Sequence, residues 1–157
     1  MDLKISQKII KKLVKNKNKI SFAESCTGGL LTSSIVSVSG SSKVLEMGLV
    51  TYSNNSKKSL LKVSKKLIKR YGSVSPQCCL SMLKGLSKIS NCKFCVSITG
   101  IAGPKGGNKH KPVGLVYVGI KAGKEIILNK FKFKNKGRIY IQKKTVKRVL
   151  KLILENI

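Results

Sequence analysis

The stretch ISFAESCTGGLLTSSIV, residues 20–36, decides how this chain folds. Its apolar start predicts a short buried strand at residues 19–23, and the apolar residues after the turn predict a helix at residues 28–38. The paired glycines favour a tight turn between the two elements. Strand, turn and helix in this order are typical of a sheet that carries helices on its faces. The corner gathers a carboxylate, two hydroxyls and a thiol, at Glu24, Ser25, Thr27 and Cys26.

The rest of the chain alternates helical and strand patterns. Periodicity and capping residues predict helices at residues 4–16, 54–61, 64–71, 75–89 and 138–155. Apolar or alternating runs predict strands at residues 45–51, 94–98, 113–120 and 125–133. The last two strands are neighbours joined by a turn, whereas the others are separated by helices. We therefore expect one α/β domain over residues 1–157, with a mixed sheet between helices.

The composition is dominated by positive charge. Lys and Arg number 33 against five acidic residues, which gives a net charge of +28. Arginine, the usual reader of bases and phosphates, is rare, aromatic residues make up 5% of the chain, and tryptophan is absent. The lysines are spread along the whole chain, so we interpret the charge as a compositional bias on an ordinary fold. Nonspecific, salt-sensitive binding to polyanions is still expected.

The apolar runs, the N-terminal pattern and the numbers of Cys and His residues indicate where the protein is located and whether it binds a metal. No apolar run approaches the ~18–20 residues of a membrane helix, and the N-terminus lacks a signal-peptide pattern. We expect a cytoplasmic protein with no membrane contact. The five cysteines are an odd number, which favours reduced thiols. One C-x-x-C pair and a single histidine do not make a zinc site, so no metal is expected.

Polar side chains gather at four places where strands or turns end. These are residues 24–29, 40–42, 51–54 with Lys57, and 99–107. Three of the four follow predicted strands, and ligand sites in α/β sheets form beyond the carboxyl ends of strands. Neither a phosphate-binding loop motif nor a Ser-His-Asp set is present. What remains is serine with lysine and tyrosine, because a partly desolvated lysine can take a serine proton. The other reading is that Tyr52 packs and that Lys57 is a surface lysine.

Several of these segments resemble one protein family. The matching pieces are AESCTGG at 23–29, GSS at 40–42, VTYSN at 50–54 with Lys57, GSVS at 72–75, TGIAGP at 99–104 and KPVG at 111–114. They look like the C-terminal domain of the competence/damage-inducible protein CinA, a family that includes stand-alone nicotinamide mononucleotide amidohydrolases. The resemblance implies a three-layer α/β/α sandwich and a homo-oligomer. It also implies hydrolysis of the carboxamide of nicotinamide mononucleotide to nicotinic acid mononucleotide and ammonia, with no cofactor.

The resemblance also implies roles for individual residues. Ser42 is the preferred nucleophile, Lys57 its general base, and Tyr52 orients the lysine or stabilises the oxyanion. Ser25 is the alternative nucleophile, and otherwise it binds substrate at the helix N-terminus. The residues expected to bind substrate are Ser25, Thr27, Gly28, Thr99, Gly100 and, for the phosphate, Arg138.

Two positions depart from the family pattern. Lys105 stands where the family often has an acidic residue, and Gln142 stands where it often has a second basic one. Together with the net charge, these departures leave an alternative: a basic nucleic-acid-binding module on a catalytically impaired fold of the same kind.

Overall fold

The computed structural model describes residues 2–157, and its centre is one five-stranded mixed sheet. The strands lie in the order β2-β1-β3-β4-β5. β2, β1 and β3 are parallel, whereas β4 is antiparallel to both of its neighbours. The strands are β1 (Ile20–Glu24), β2 (Leu45–Val50), β3 (Phe94–Gly100), β4 (Leu115–Ala122) and β5 (Glu125–Lys132).

Helices cover both faces of the sheet and complete three layers. α1, α2 and α6 pack together on one face, and α3 and α4 pack on α5 across the other. Successive strand side chains point to opposite faces of the sheet, so a strand can contribute to a hydrophobic core on either face. Phe22 of β1 lies in the core under α1, α2 and α6, and its neighbour Ala23 lies in the core under α5. The helices are α1 (Leu3–Lys15), α2 (Leu30–Val36), α3 (Asn54–Leu61), α4 (Lys65–Tyr71), α5 (Pro76–Ser90) and α6 (Arg138–Asn156).

This architecture confirms the predicted α/β sandwich around a mixed sheet. Several boundaries differ from the predicted ones by one or two residues, and the helix expected at 28–38 begins only at Leu30 and ends at Val36. Gly28 and Gly29 have φ values of +61° and +94°, so they belong to the turn and not to the helix. Among residues 2–157, no helix combines the length and apolarity that a membrane crossing requires.

The parallel strands deliver their loops to one edge of the sheet. The register pairs Glu24 at the end of β1 with Val50 of β2 and Ile98 of β3. β4 starts at the same edge, since Gly100 pairs with Val116. The turns that follow β1 and β2 and the loop between β3 and β4 therefore meet there, as expected for the carboxyl ends of parallel strands.

Candidate active site

The corner after β1 is built around a buried carboxylate. Glu24 is fully buried, and its two oxygens accept hydrogen bonds from the backbone N–H groups of Gly29, Leu31 and Thr32 at 2.8–3.1 Å. The Thr32 hydroxyl donates to the same carboxylate at 2.7 Å. A negative charge at a helix N-terminus is favourable. The N-terminus of α2 is therefore already neutralised from within the fold.

Ser25, the next residue, is held by its main chain and its side chain. Its backbone N–H donates to the Ile98 carbonyl at 3.0 Å, and its carbonyl accepts from the Gly28 N–H at 3.1 Å. Its hydroxyl oxygen accepts a hydrogen bond from the Lys57 ammonium group at 2.9 Å. The side chain is nearly buried, with 7% exposure, yet it lines an open pocket. Ser25 is thus a fixed hydroxyl next to an amine.

Lys57 reaches that hydroxyl from helix α3. A capping box formed by Ser53 and Ser56 fixes the start of this helix, and Lys57 is the next residue. The side chain is 1% exposed and donates to two carbonyls as well, those of Thr51 at 2.7 Å and Tyr52 at 3.2 Å. All three acceptors are neutral.

Burial shifts the protonation equilibrium of Lys57 towards the uncharged amine. Burial lowers the pKa of Lys57 from its ordinary value, and the nearby thiols of Cys78 and Cys26 oppose this more weakly. Within residues 2–157 the single ion pair is the distant Lys19–Glu46 contact, so no carboxylate holds the lysine in its charged form. A lysine with a lowered pKa beside a serine hydroxyl is suited to act as a general base.

Arg138 links two segments at the solvent side of the site through hydrogen bonds. It is the first residue of α6, and its guanidinium donates to the Gly103 carbonyl at 2.9 Å and to the Tyr52 hydroxyl at 2.7 Å. The Tyr52 side chain is 59% exposed. Tyr52 therefore contacts Lys57 through its backbone carbonyl, whereas its phenolic hydroxyl accepts a hydrogen bond from Arg138.

These groups line an open pocket of about 250 Å³. Lys57 lies at the base of the pocket, and the two charged side chains that line it towards solvent, Lys105 and Arg138, are both cationic. Such a pocket suits an anionic ligand. The remaining lining residues are Ser25, Cys26, Tyr52, Ser73, Val74, Thr99, Gly100, Ile101, Ala102, Gly103 and Gly106.

Comparison with known proteins identifies the family. The model of the CinA C-terminal domain matches residues 2–157. This chain belongs to the CinA C-terminal domain family. A CinA-like protein of Prochlorococcus marinus subsp. pastoris is 46% identical over 147 residues, which cover 92% of this chain and 34% of that protein. A CinA-like protein of Thermotoga neapolitana is 46% identical over 117 residues, with 74% and 29% covered. The chain spans about a third of the length of these curated relatives.

Solved structures confirm the fold of this CinA-family chain. The competence/damage-inducible protein CihA from Agrobacterium tumefaciens superposes with a TM-score of 0.94 at 36% identity, covering 98% of this chain and 93% of that one. The competence damage-inducible protein A from Klebsiella pneumoniae superposes with a TM-score of 0.93 at 23% identity, covering 98% and 94%, which supports the fold alone. The resemblance read from the sequence motifs is therefore confirmed at the level of family and architecture.

Six of the nine candidate residues line the pocket of this CinA-family domain. They enter it from four segments: the corner after β1, the turn after β2 with α3, the end of β3, and the start of α6. They are Ser25, Tyr52, Lys57, Thr99, Gly100 and Arg138. Thr99 also donates its hydroxyl to the Ser73 carbonyl at 2.7 Å, which holds the loop before α5 against β3.

The structure contradicts the pairing of Ser42 with Lys57. Ser42 is exposed in the 3-10 turn Ser41–Lys43, which precedes β2, whereas Lys57 follows β2. Because β2 has six residues, its two ends lie about 17 Å apart. Within one chain the predicted nucleophile is therefore at the wrong edge of the sheet, and Ser25 is the hydroxyl that Lys57 contacts.

Thr27 and Gly28 also lie outside the pocket lining. Thr27 is buried, and its hydroxyl has no hydrogen-bond partner in the part of the chain that the structure describes. Gly28 is exposed, and its positive φ marks it as a turn residue. Both residues shape the corner and do not face the pocket.

Two residues with a clear place at the site had no assigned role from the sequence. Cys26 lines the pocket, but burial raises the pKa of its thiol to about 12, so the thiol stays protonated and is not a nucleophile. Gln142, nearly buried in α6, donates to the Cys26 carbonyl at 2.8 Å. Cys26 lies within the AESCTGG motif, and Gln142 was noted only as a departure from the family pattern, without its contact to Cys26.

The close approach of neighbouring side chains explains why position 100 is a glycine. A Cβ there would lie 2.7 Å from a Val116 methyl and 3.0 Å from the Cys26 sulfur. Gly100 thus lets the corner after β1 approach the end of β3, which brings Ser25 and Thr99 to the same pocket.

Proposed function

We propose that this domain hydrolyses the carboxamide of nicotinamide mononucleotide to nicotinic acid mononucleotide and ammonia. One observation carries the reaction type: Lys57 contacts the Ser25 hydroxyl at 2.9 Å, is buried, and has only neutral acceptors. Two further observations support the substrate: the family resemblance, and a pocket whose solvent-facing charges are cationic.

In the first half of the proposed reaction, Ser25 is the nucleophile. Its oxygen attacks the carboxamide carbon while the neutral amine of Lys57 takes the hydroxyl proton. Collapse of the tetrahedral intermediate breaks the carbon–nitrogen bond, and Lys57 returns its proton to the leaving nitrogen. Ammonia departs and the nicotinoyl group remains as an ester of Ser25.

In the second half, water replaces Ser25 by the same chemistry. Lys57 takes a proton from the attacking water, and the ester bond breaks with that proton going to the Ser25 oxygen. The sum of the two halves is amide plus water giving acid plus ammonia. No step uses a metal or an organic cofactor.

The oxyanion of each intermediate needs a hydrogen-bond donor. The Ser25 carbonyl accepts from the Gly28 N–H, so the N–H of the same peptide unit, that of Cys26, points the opposite way. Within residues 2–157 this N–H donates to no backbone acceptor, and Cys26 lines the pocket. The Cys26 N–H is our candidate oxyanion donor.

The phosphate of the substrate is assigned to the solvent-facing cations. Arg138 uses two N–H groups on Gly103 and Tyr52, which leaves others of its five for a phosphate oxygen. Lys105, also at the pocket, adds a second positive charge. A homo-oligomer in the cytoplasm completes the proposal, and light scattering of the purified protein tests the oligomer.

The test is ammonia release from nicotinamide mononucleotide, with three variants measured beside the wild type. Ser25→Ala and Lys57→Met should each lower kcat by about 10³-fold or more, because they remove nucleophile and base. Ser42→Ala is the matched control, a serine at the opposite sheet edge, and should keep wild-type turnover. Loss of activity in Ser42→Ala alone would overturn the assignment of Ser25.

A further inference from the structure

The backbone at Ser25 is anchored on both sides, and one anchor is a side chain from a remote element. The Ser25 N–H and carbonyl are held by main-chain groups of Ile98 and Gly28. The next carbonyl, that of Cys26, is held by the amide nitrogen of Gln142, 116 residues away, at 2.8 Å. Gln142 is 8% exposed, so this bond is shielded from water.

We infer that Gln142 is a positioning residue that fixes the peptide units after Ser25 through the Cys26 carbonyl. This inference rests on the proposed function, in which Ser25 is the nucleophile and the Cys26 N–H stabilises the oxyanion. Cys26 joins two peptide units: Gly28 holds the first and Gln142 holds the second. With both fixed, the hydroxyl and the N–H keep one relative orientation.

Because Gln142 lies in α6, its contact with Cys26 is one of several that join this helix to the segments around the pocket. Arg138 precedes it by four residues, one helical turn, and therefore lies on the same side of the helix. Arg138 contacts Tyr52 after β2 and Gly103 after β3, while Gln142 contacts Cys26 after β1. The first turns of α6 thus join the segments that follow all three parallel strands.

Substitution of Gln142 removes the anchor of the Cys26 carbonyl without touching the reacting groups. The anchors of the Ser25 N–H and carbonyl are main-chain groups, which the substitution leaves in place. Misplacement of a nucleophile by about 1 Å can cost 10²-fold in rate. We therefore expect Gln142 to act on kcat, with little effect on substrate binding.

The variants separate positioning from general stability. Gln142→Met keeps the shape and loses the donor, whereas Gln142→Lys keeps an N–H donor that can reach the same carbonyl. Thr145→Val is the control: Thr145 is fully buried in the same helix and donates to the Ile141 carbonyl at 2.8 Å. It lies outside the pocket lining. Each variant is measured for Tm, for kcat and KM, and for labelling of Ser25 by a fluorophosphonate, quantified by intact mass.

We expect Gln142→Met to lower kcat by about 10–100-fold, with KM changed by less than about 3-fold. Ser25 labelling should slow in parallel, Gln142→Lys should recover most of both, and Thr145→Val should lower Tm with wild-type kcat. If Gln142→Met lowers only Tm, the positioning role is wrong. The labelling assay needs no nucleotide. If the wild type does not hydrolyse nicotinamide mononucleotide but its Ser25 is still labelled at a rate that depends on Gln142, only the proposed substrate is wrong. The positioning role of Gln142 would then stand.

Discussion

Lys57 couples activity to pH through its buried amine. The reaction needs the neutral form, and burial lowers the pKa of Lys57 below the ordinary lysine value of 10.5. The rate should therefore be low in acid and rise with pH through the lowered pKa, reaching its plateau before an ordinary lysine would deprotonate. A pH–kcat/KM profile checks this. An acidic limb at or above the usual lysine range would contradict the proposed base.

Arg138 is expected to act on binding and to leave chemistry largely unchanged. Arg138→Gln removes the charge assigned to the substrate phosphate and should raise KM by about 10–100-fold, since a charge-assisted hydrogen bond contributes about 1.5–3 kcal/mol. Nicotinamide riboside, which lacks the phosphate, is the matched control. The variant and the wild type should hydrolyse the riboside with similar kcat/KM. An equal loss on both substrates would show that Arg138 acts through Tyr52 or Gly103 instead.

At the scale of elements, Glu24 joins β1 to α2. Its carboxylate accepts four hydrogen bonds in a fully buried position, and a carboxamide offers only one acceptor oxygen. Glu24→Gln should therefore lower the free energy of unfolding by about 2–4 kcal/mol. Glu46→Gln is the control, because Glu46 pairs with Lys19 in solvent, where such pairs contribute about 0–1 kcal/mol. Urea unfolding measures both, and equal small losses would contradict the capping role.

The same corner shows what sequence patterns can and cannot give at this scale. Apolar periodicity and the paired glycines predicted the strand, the turn and the helix correctly, because these signals are local. The direction in which each polar side chain points is not local. Glu24 turns back onto α2, and Ser25 faces the pocket, although they are neighbours in one motif. Gln142 reaches this corner only through the packing of α6, which no nearby residue pattern encodes.

At the scale of the whole molecule, the strand order separates residues that the motifs had grouped. The turn holding Ser42 precedes β2, and the segment holding Lys57 follows it, so a parallel strand carries them to opposite edges of the sheet. The motif residues at the carboxyl ends of strands or just beyond them, such as Thr99 and Ser25, do converge. Position before or after a parallel strand was thus the better guide to the site than the resemblance of individual motifs.

The charge of the whole molecule predicts binding that is independent of the pocket. With a net charge of +28 and cations spread over the chain, single-stranded DNA should bind at low salt, and log Kd should rise steeply with log salt because bound counterions are released. Fluorescence anisotropy at several salt concentrations measures this slope. The double variant Lys105→Gln with Arg138→Gln is the control, since it removes two of 33 basic residues and leaves DNA binding nearly unchanged while KM for the mononucleotide rises. Tight, sequence-selective binding that persists above physiological salt would instead favour a dedicated nucleic-acid role, because a counterion-release term alone cannot supply selectivity.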